Sequence, residues 1–204
     1  MKRKTPQFFK RQQVREVIDK ILKTQKTILS PLEFTVSESF SSDYTETSFS
    51  FRESGNKDRT VPLSNIKSRG VVDGIFRGLH EFYQEDYPSI KRIRLVNLLV
   101  DPFWSTSKAK FGTDAKTSVV FRVEVDSFGT ADFEHSSRSM LHSSFISGLN
   151  AFQFYINCER AFDRAQLVLK DAESRNRSDI SDQWKYYLSK LTEANTYVKK
   201  GKKD

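Results

Sequence analysis

Residues 118–156 read SVVFRVEVDSFGTADFEHSSRSMLHSSFISGLNAFQFYI, and two periods meet inside them. Val119, Phe121, Val123 and Val125 alternate with Val120, Arg122, Glu124 and Asp126, the pattern of a strand with one buried face. Ser127 to Thr130, built around Phe128-Gly129-Thr130, reads as a hairpin turn, and a second strand follows from Ala131. From about Ser139 the period lengthens. Met140, Leu141, Phe145, Leu149, Phe152 and Ile156 recur at helical spacing, so a strand pair feeds one long amphipathic helix.

The same order of elements occurs upstream. Leu32 to Phe40 and Tyr44 to Arg52 read as strands, Ser54-Gly55-Asn56-Lys57 as a turn, Arg59 to Leu63 as a short third strand, and Val71 to Tyr83 as a helix. Phe76-Arg77-Gly78-Leu79 also lies in register with Ile146-Ser147-Gly148-Leu149. Ile90 to Val100, ended by Asp101-Pro102, supplies the strand that joins the two units. The expected architecture is α+β: two β-β-β-α units, residues 31–86 and 89–160 of a domain spanning 31–160. A helical extension at 1–30 and another at 161–204 flank it.

In the first extension Val14, Val17, Ile18, Ile21 and Leu22 share one face of a helix expected to end near Thr27, with Ser30-Pro31 as its stop. This stripe is expected to pack on the domain or on a partner subunit, since it is short and lacks tryptophan for a membrane surface. Beyond Ile156 the long helix is expected to reach about Ser174, Arg175-Asn176-Arg177 to break it, and Ser178 to cap a last helix. That helix carries Ile180, Trp184, Tyr187, Leu188, Leu191 and Tyr197, and the pair reads as an αα-hairpin against the sheet, a dimer mate or another protein.

Arg69-Gly70-Val71-Val72-Asp73-Gly74 before the first helix, Gly112-Thr113-Asp114-Ala115 before the second strand pair, and Asn150-Ala151-Phe152 in the second helix carry a family likeness. With the order of elements, they resemble the C-terminal regulatory domain of 2-isopropylmalate synthase and citramalate synthase over roughly residues 32–158. Val71 stands where that family has proline, Arg69 breaks its glycine pattern, and His135, Ser139 and Met140 depart from the usual entry to the second helix. The resemblance implies that family's fold and a homodimer. It also implies a branched-chain amino acid effector, leucine or isoleucine, against Gly70, Val72, Asp73, Gly112, Asp114, His135 and Ser137, and a synthase as the regulated partner in leucine biosynthesis.

The residues bound this reading. The catalytic barrel of such synthases needs about 250 residues and cannot be held in 204 beside such a domain. Their His-x-His metal pair is missing: His80, His135 and His142 are the only histidines. His135-Ser136-Ser137-Arg138-Ser139 sets hydroxyls beside a histidine but lacks a Gly-x-Ser-x-Gly elbow, and Ser137 or Ser139 reads as a helix cap. A non-catalytic module without cofactor or metal is therefore expected, the alternative being a protein or nucleic-acid interaction module that keeps the fold without an effector. Asp73 has two readings: it complements the helix dipole, or it accepts the ammonium group of an amino acid. Lys67 and Arg69 beside the helix start favour a carboxylate there.

Composition agrees with a packed domain, with 37% hydrophobic residues and 17 phenylalanines. The formal charge is +8, of which residues 1–30 hold +7 and residues 160–204 hold +4, so the middle is acidic. Basic ends contact nucleic acid, acidic protein or membrane surfaces, yet they also serve solubility alone, and nucleic acid is not expected here. Trp104 with Lys108 and Lys110 is too sparse for a strand-binding platform. The chain has no run of about 18 apolar residues and no signal-peptide pattern, from which a cytoplasmic location is expected. The single Cys158 reads as a small buried hydrophobe.

Overall fold

The structure is a computed structural model that describes residues 6–39, 41–102, 116–125, 129–195 and 197. Its elements are α1 (Pro6–Leu22), β1 (Ile28–Glu38), β2 (Thr45–Ser54), β3 (Arg59–Ser68), α2 (Val71–Tyr83), β4 (Ile93–Pro102), β5 (Thr117–Val125), β6 (Gly129–Ser137), α3 (Met140–Ser174) and α4 (Ser178–Thr192). They form two separate antiparallel sheets of three strands, ordered β1-β2-β3 and β4-β5-β6. The α+β class and the β-β-β-α order of both units are thus present.

Register shows how alike the two sheets are. In the first, Pro31 pairs with Phe51 and Glu33 with Ser50, which leaves Leu32 as an extra, bulged residue before Phe34 meets Phe49. In the second, Leu95 pairs with Val123 and Asn97 with Arg122, leaving Val96 extra before Leu98 meets Phe121. Both bulges fall at the matching step of the first strand, where one unpaired residue sharpens the local twist. Phe49 and Phe121 therefore hold equivalent places at the middle of each inner face, and both are buried.

Helix α3 is the element the two sheets share. Its 35 residues extend roughly 50 Å. It packs on β5 and β6, crosses to β1, and rests against α2. The Phe145 ring lies 5.2 Å from Phe34 and 5.0 Å from Phe49 in the first sheet, while Gly148 faces Phe121 in the second. A Cβ on Gly148 would come within 2.8 Å of Ile75 Cγ2, and one on Gly78 within 2.5 Å of Ile66 Cδ1. The two glycines matched in the sequence thus let α3 approach α2, and α2 approach its sheet.

Four expectations are corrected. Helix α1 stops at Leu22, a short 3-10 helix spans Lys23–Gln25, and Pro31 lies inside β1 instead of ending a helix. Proline is tolerated there because β1 is an edge strand and the position adjoins a bulge. β3 runs on to Ser68, well past Leu63. The strand expected from Ile90 starts at Ile93, after a 3-10 helix at Pro88–Arg92, and β4 forms an edge of the second sheet. Ser178 does not cap α4: the cap position is Arg177, with no side-chain hydrogen bond. Ser139 does cap α3, its Oγ accepting from the His142 backbone N–H at 3.2 Å.

The terminal helices are built into the core. Val14, Val17, Ile18, Ile21 and Leu22 are all buried, as is Leu191, in one cluster with the sheets' inner faces. Helix α1 packs on α3, α4 and β6, and α3 runs unbroken through position 160. The Tyr197 ring stacks on Phe162 at 4.3 Å. These stripes are covered by their own chain, so they offer no reason for a second subunit.

Candidate functional site

The start of α2 is built by the end of β3. The Ser68 hydroxyl donates to the Gly70 carbonyl at 2.8 Å, and that same carbonyl accepts the Gly74 N–H at 3.0 Å, closing the first helical turn. Gly70 takes the cap position in extended conformation with no side chain to satisfy the first amides, and a Cβ there would meet nothing within 4 Å. The opening N–H groups of a helix lack intrahelical acceptors and carry the positive end of its dipole. Val71 and Val72 are half-buried, whereas Asp73 is exposed. The Asp73 Oδ2 accepts the Arg69 N–H at a long 3.4 Å. Lys67 does not face this site freely: its ammonium stands 5.0 Å over the Tyr44 ring.

The second group of expected residues lies at the entry to α3. Ser137 Oγ donates to the Ser139 carbonyl at 2.8 Å and lies within hydrogen-bond distance of Ser143 Oγ at 2.8 Å, and Ser143 Oγ donates to the Thr117 carbonyl. His135 meets His142 edge-on, with ring centroids 5.7 Å apart. Burial, and then the like charge of His142, hold the His135 imidazole below its ordinary value. Among the described residues no hydrogen bond joins a serine to either imidazole ring, so no base and nucleophile are paired there. Nor does any hydrogen bond or ion pair join the Gly70–Asp73 group to His135 and Ser137. Gly112 and Asp114, like Trp104, Lys108 and Lys110, lie outside the described residues.

Two polar features escaped the sequence. Asn157 of α3 treats the start of β1 as a neighbouring strand would, its Oδ1 accepting the Thr27 N–H and its Nδ2 donating to the Thr27 carbonyl, each at 2.8 Å. One turn earlier Gln153 Oε1 accepts the Leu29 N–H at 2.8 Å, and Arg160 Nη1 donates to Thr27 Oγ1 at 2.7 Å. Beside them opens a cleft of about 420 Å³ lined by Arg15, Asp19, Lys26 and Asn150 among others. The second feature is Glu53, wholly buried. Its Oε2 accepts from Arg59 Nε at 3.0 Å and from the Tyr83 hydroxyl at 3.3 Å, while Oε1 has no partner among the described residues. The signal was present, because Glu53 continues the inward phase of Thr47, Phe49 and Phe51.

Cys158 is fully buried, which pushes its thiol up and keeps it protonated. Among the described residues no group of three His, Cys, Asp or Glu side chains is placed to hold a metal ion, and no helix is long and apolar enough to cross a membrane. No protein-family model and no curated protein matches the chain.

Proposed function

We propose that the chain is a non-catalytic regulatory module that binds a branched-chain amino acid at the start of α2, as its resemblance to the 2-isopropylmalate and citramalate synthase regulatory domains implies. The observation that carries this reading is the pairing of opposite demands at one place. Unfilled amides after a glycine cap suit a carboxylate, and the exposed Asp73 carboxylate suits an ammonium group. The half-buried Val71 and Val72 supply apolar surface beside them. On this reading the fold is that family's, the working form is a homodimer in the cytoplasm, and a synthase is the regulated partner.

Titration calorimetry with leucine, isoleucine and valine tests it. Asp73→Asn is expected to weaken binding roughly ten- to hundred-fold, the equivalent of about 1.5 to 3 kcal/mol for one charged hydrogen bond. Its melting temperature should barely move, since only about 0.3 to 1 kcal/mol of dipole interaction is lost. A variant that binds normally but melts much lower makes Asp73 a helix-start residue alone. A second reading, an interaction module without effector, draws on the exposed apolar side chains of β4 and is what an absence of heat with all three amino acids would favour.

A further inference from the structure

The two sheets are equivalent in register, yet their edge strands differ at the start and in the cover over their inner-face side chains. At the start of β1 the edge is closed, since Asn157 occupies Thr27, Gln153 occupies the Leu29 N–H, and Pro31 has no donor to offer, whereas from Leu32 to Glu38 no side chain among the described residues bonds its backbone. Above it the inner-face Phe34 is covered by Phe145 of α3. At β4, Leu95 stands where β1 has Pro31, and no side chain among the described residues bonds the backbone of Leu95 to Asp101. Leu98 and Val100 hold the inner-face places of Phe34 and Val36 but remain 37% and 42% exposed. Val96 and Leu99 are exposed as well, at 47% and 42%. Among the described residues nothing closes this edge, and four exposed aliphatic side chains flank it, an arrangement that natural sheets otherwise block.

The geometry points to a second copy of this chain as the occupant: β4 pairs antiparallel with β4 of its partner, and the two sheets continue into one of six strands. The charges on the strand are self-complementary. Arg94 and Asp101 lie on the same, outer face, opposite Glu124 and Ser118 of β5, at the two ends of the exposed stretch, and Arg94 also pairs with Glu124 of its own sheet at 3.5 Å. A two-fold axis near the middle of β4 brings the Arg94 end of each copy to the Asp101 end of the other. A strand carrying only one sign of charge would repel its copy in this arrangement. The same axis sets the Leu98 and Val100 side chains of both copies side by side on the inner face and removes them from water. Of the reading above, the proposal uses only self-association and names its surface; it does not depend on any effector.

Sedimentation of the full chain tests it, beside a variant carrying Leu98→Asp and Val100→Asp. The natural chain is expected to be a dimer, and the variant a folded monomer with its dissociation constant raised at least ~100-fold. The charge arrangement gives an independent readout, because Asp101→Arg, which leaves the Arg94–Glu124 pair intact and sets like charges together at each end of the pairing, should weaken the dimer more than Asp101→Asn does. A dimer indifferent to all these substitutions places the interface elsewhere and overturns the proposal while leaving amino acid binding untouched. A natural chain that stays monomeric at high micromolar concentration overturns it too and leaves the edge to a different protein. A dimer that dissociates as expected but gives no heat with amino acids supports the surface and removes the effector.

Discussion

Glu53 makes the sharpest demand on its neighbours, because a wholly buried carboxylate is tolerated only when cations and donors surround it. Arg59 and the Tyr83 hydroxyl meet that demand at one oxygen, with the Arg160 guanidinium acting from a greater distance. Arg59→Met is expected to cost about 2 to 3 kcal/mol in urea denaturation, below the full value for a buried pair because the Arg59 side chain is partly in water. Glu53→Gln, which keeps an acceptor for Tyr83, should cost less. The reverse order would mean that Arg59 is not the partner that holds Glu53 in place. Two histidines set a pH dependence. His80 and His135 are both held below the ordinary value near 6.5, burial being the first cause in each. Well above that value both are neutral, folded or unfolded, and titration leaves stability unchanged. As pH falls through it the unfolded chain binds protons first, so stability should drop as the pH falls from neutral through that value and below. His135→Asn should flatten that drop, and an unchanged slope would assign it to other groups.

At the scale of elements, α2 and α3 meet because Gly148 brings no Cβ to Ile75 and Phe121. Gly148→Ala adds about 1 kcal/mol of helix propensity, yet the new methyl group would stand against buried, β-branched Ile75. Overpacking costs about 1 to 3 kcal/mol, so a net loss of stability is expected. Adding Ile75→Ala should relieve it: the pair of substitutions would cost less than the sum of the single ones, whereas strict additivity would deny the contact. Elements of this kind were readable where their signal is local. The alternation of Val119 to Val125 and the spacing of Phe145, Leu149 and Phe152 each need only their own segment to be read, and both elements stand as expected. The bulges at Leu32 and Val96 are defined only by what the partner strand pairs with, so no single segment reveals them. Pro31 misled for a related reason: its missing donor stops a helix and suits an edge strand equally well. The candidate site divides along the same line. The helix start at Val71 and Asp73 are sequence neighbours and were legible, whereas the His135–His142 contact joins a strand to a helix and was not.

At the scale of the whole molecule, the halves are held together by α3, and Asn157 is the polar part of that hold. Asn157→Ala removes two buried hydrogen bonds and leaves the Thr27 amide and carbonyl without partners, an expected cost of about 2 to 4 kcal/mol. Hydrogen exchange should show it at Thr27 and Leu29 before any loss elsewhere. Protection that persists at both amides would show that β1 needs no help from α3. This clamp also orders events in time. During synthesis β1, β2 and β3 leave the ribosome long before residues 153–157 exist. Until those residues arrive, the first sheet carries open amides at Thr27 and Leu29 and a Phe34 that Phe145 has not yet covered. The amino-terminal half is therefore born as an unfinished sheet that waits for its own carboxy-terminal helix. The nascent chain matures late and as a single cooperative body, although its architecture is that of one unit written twice.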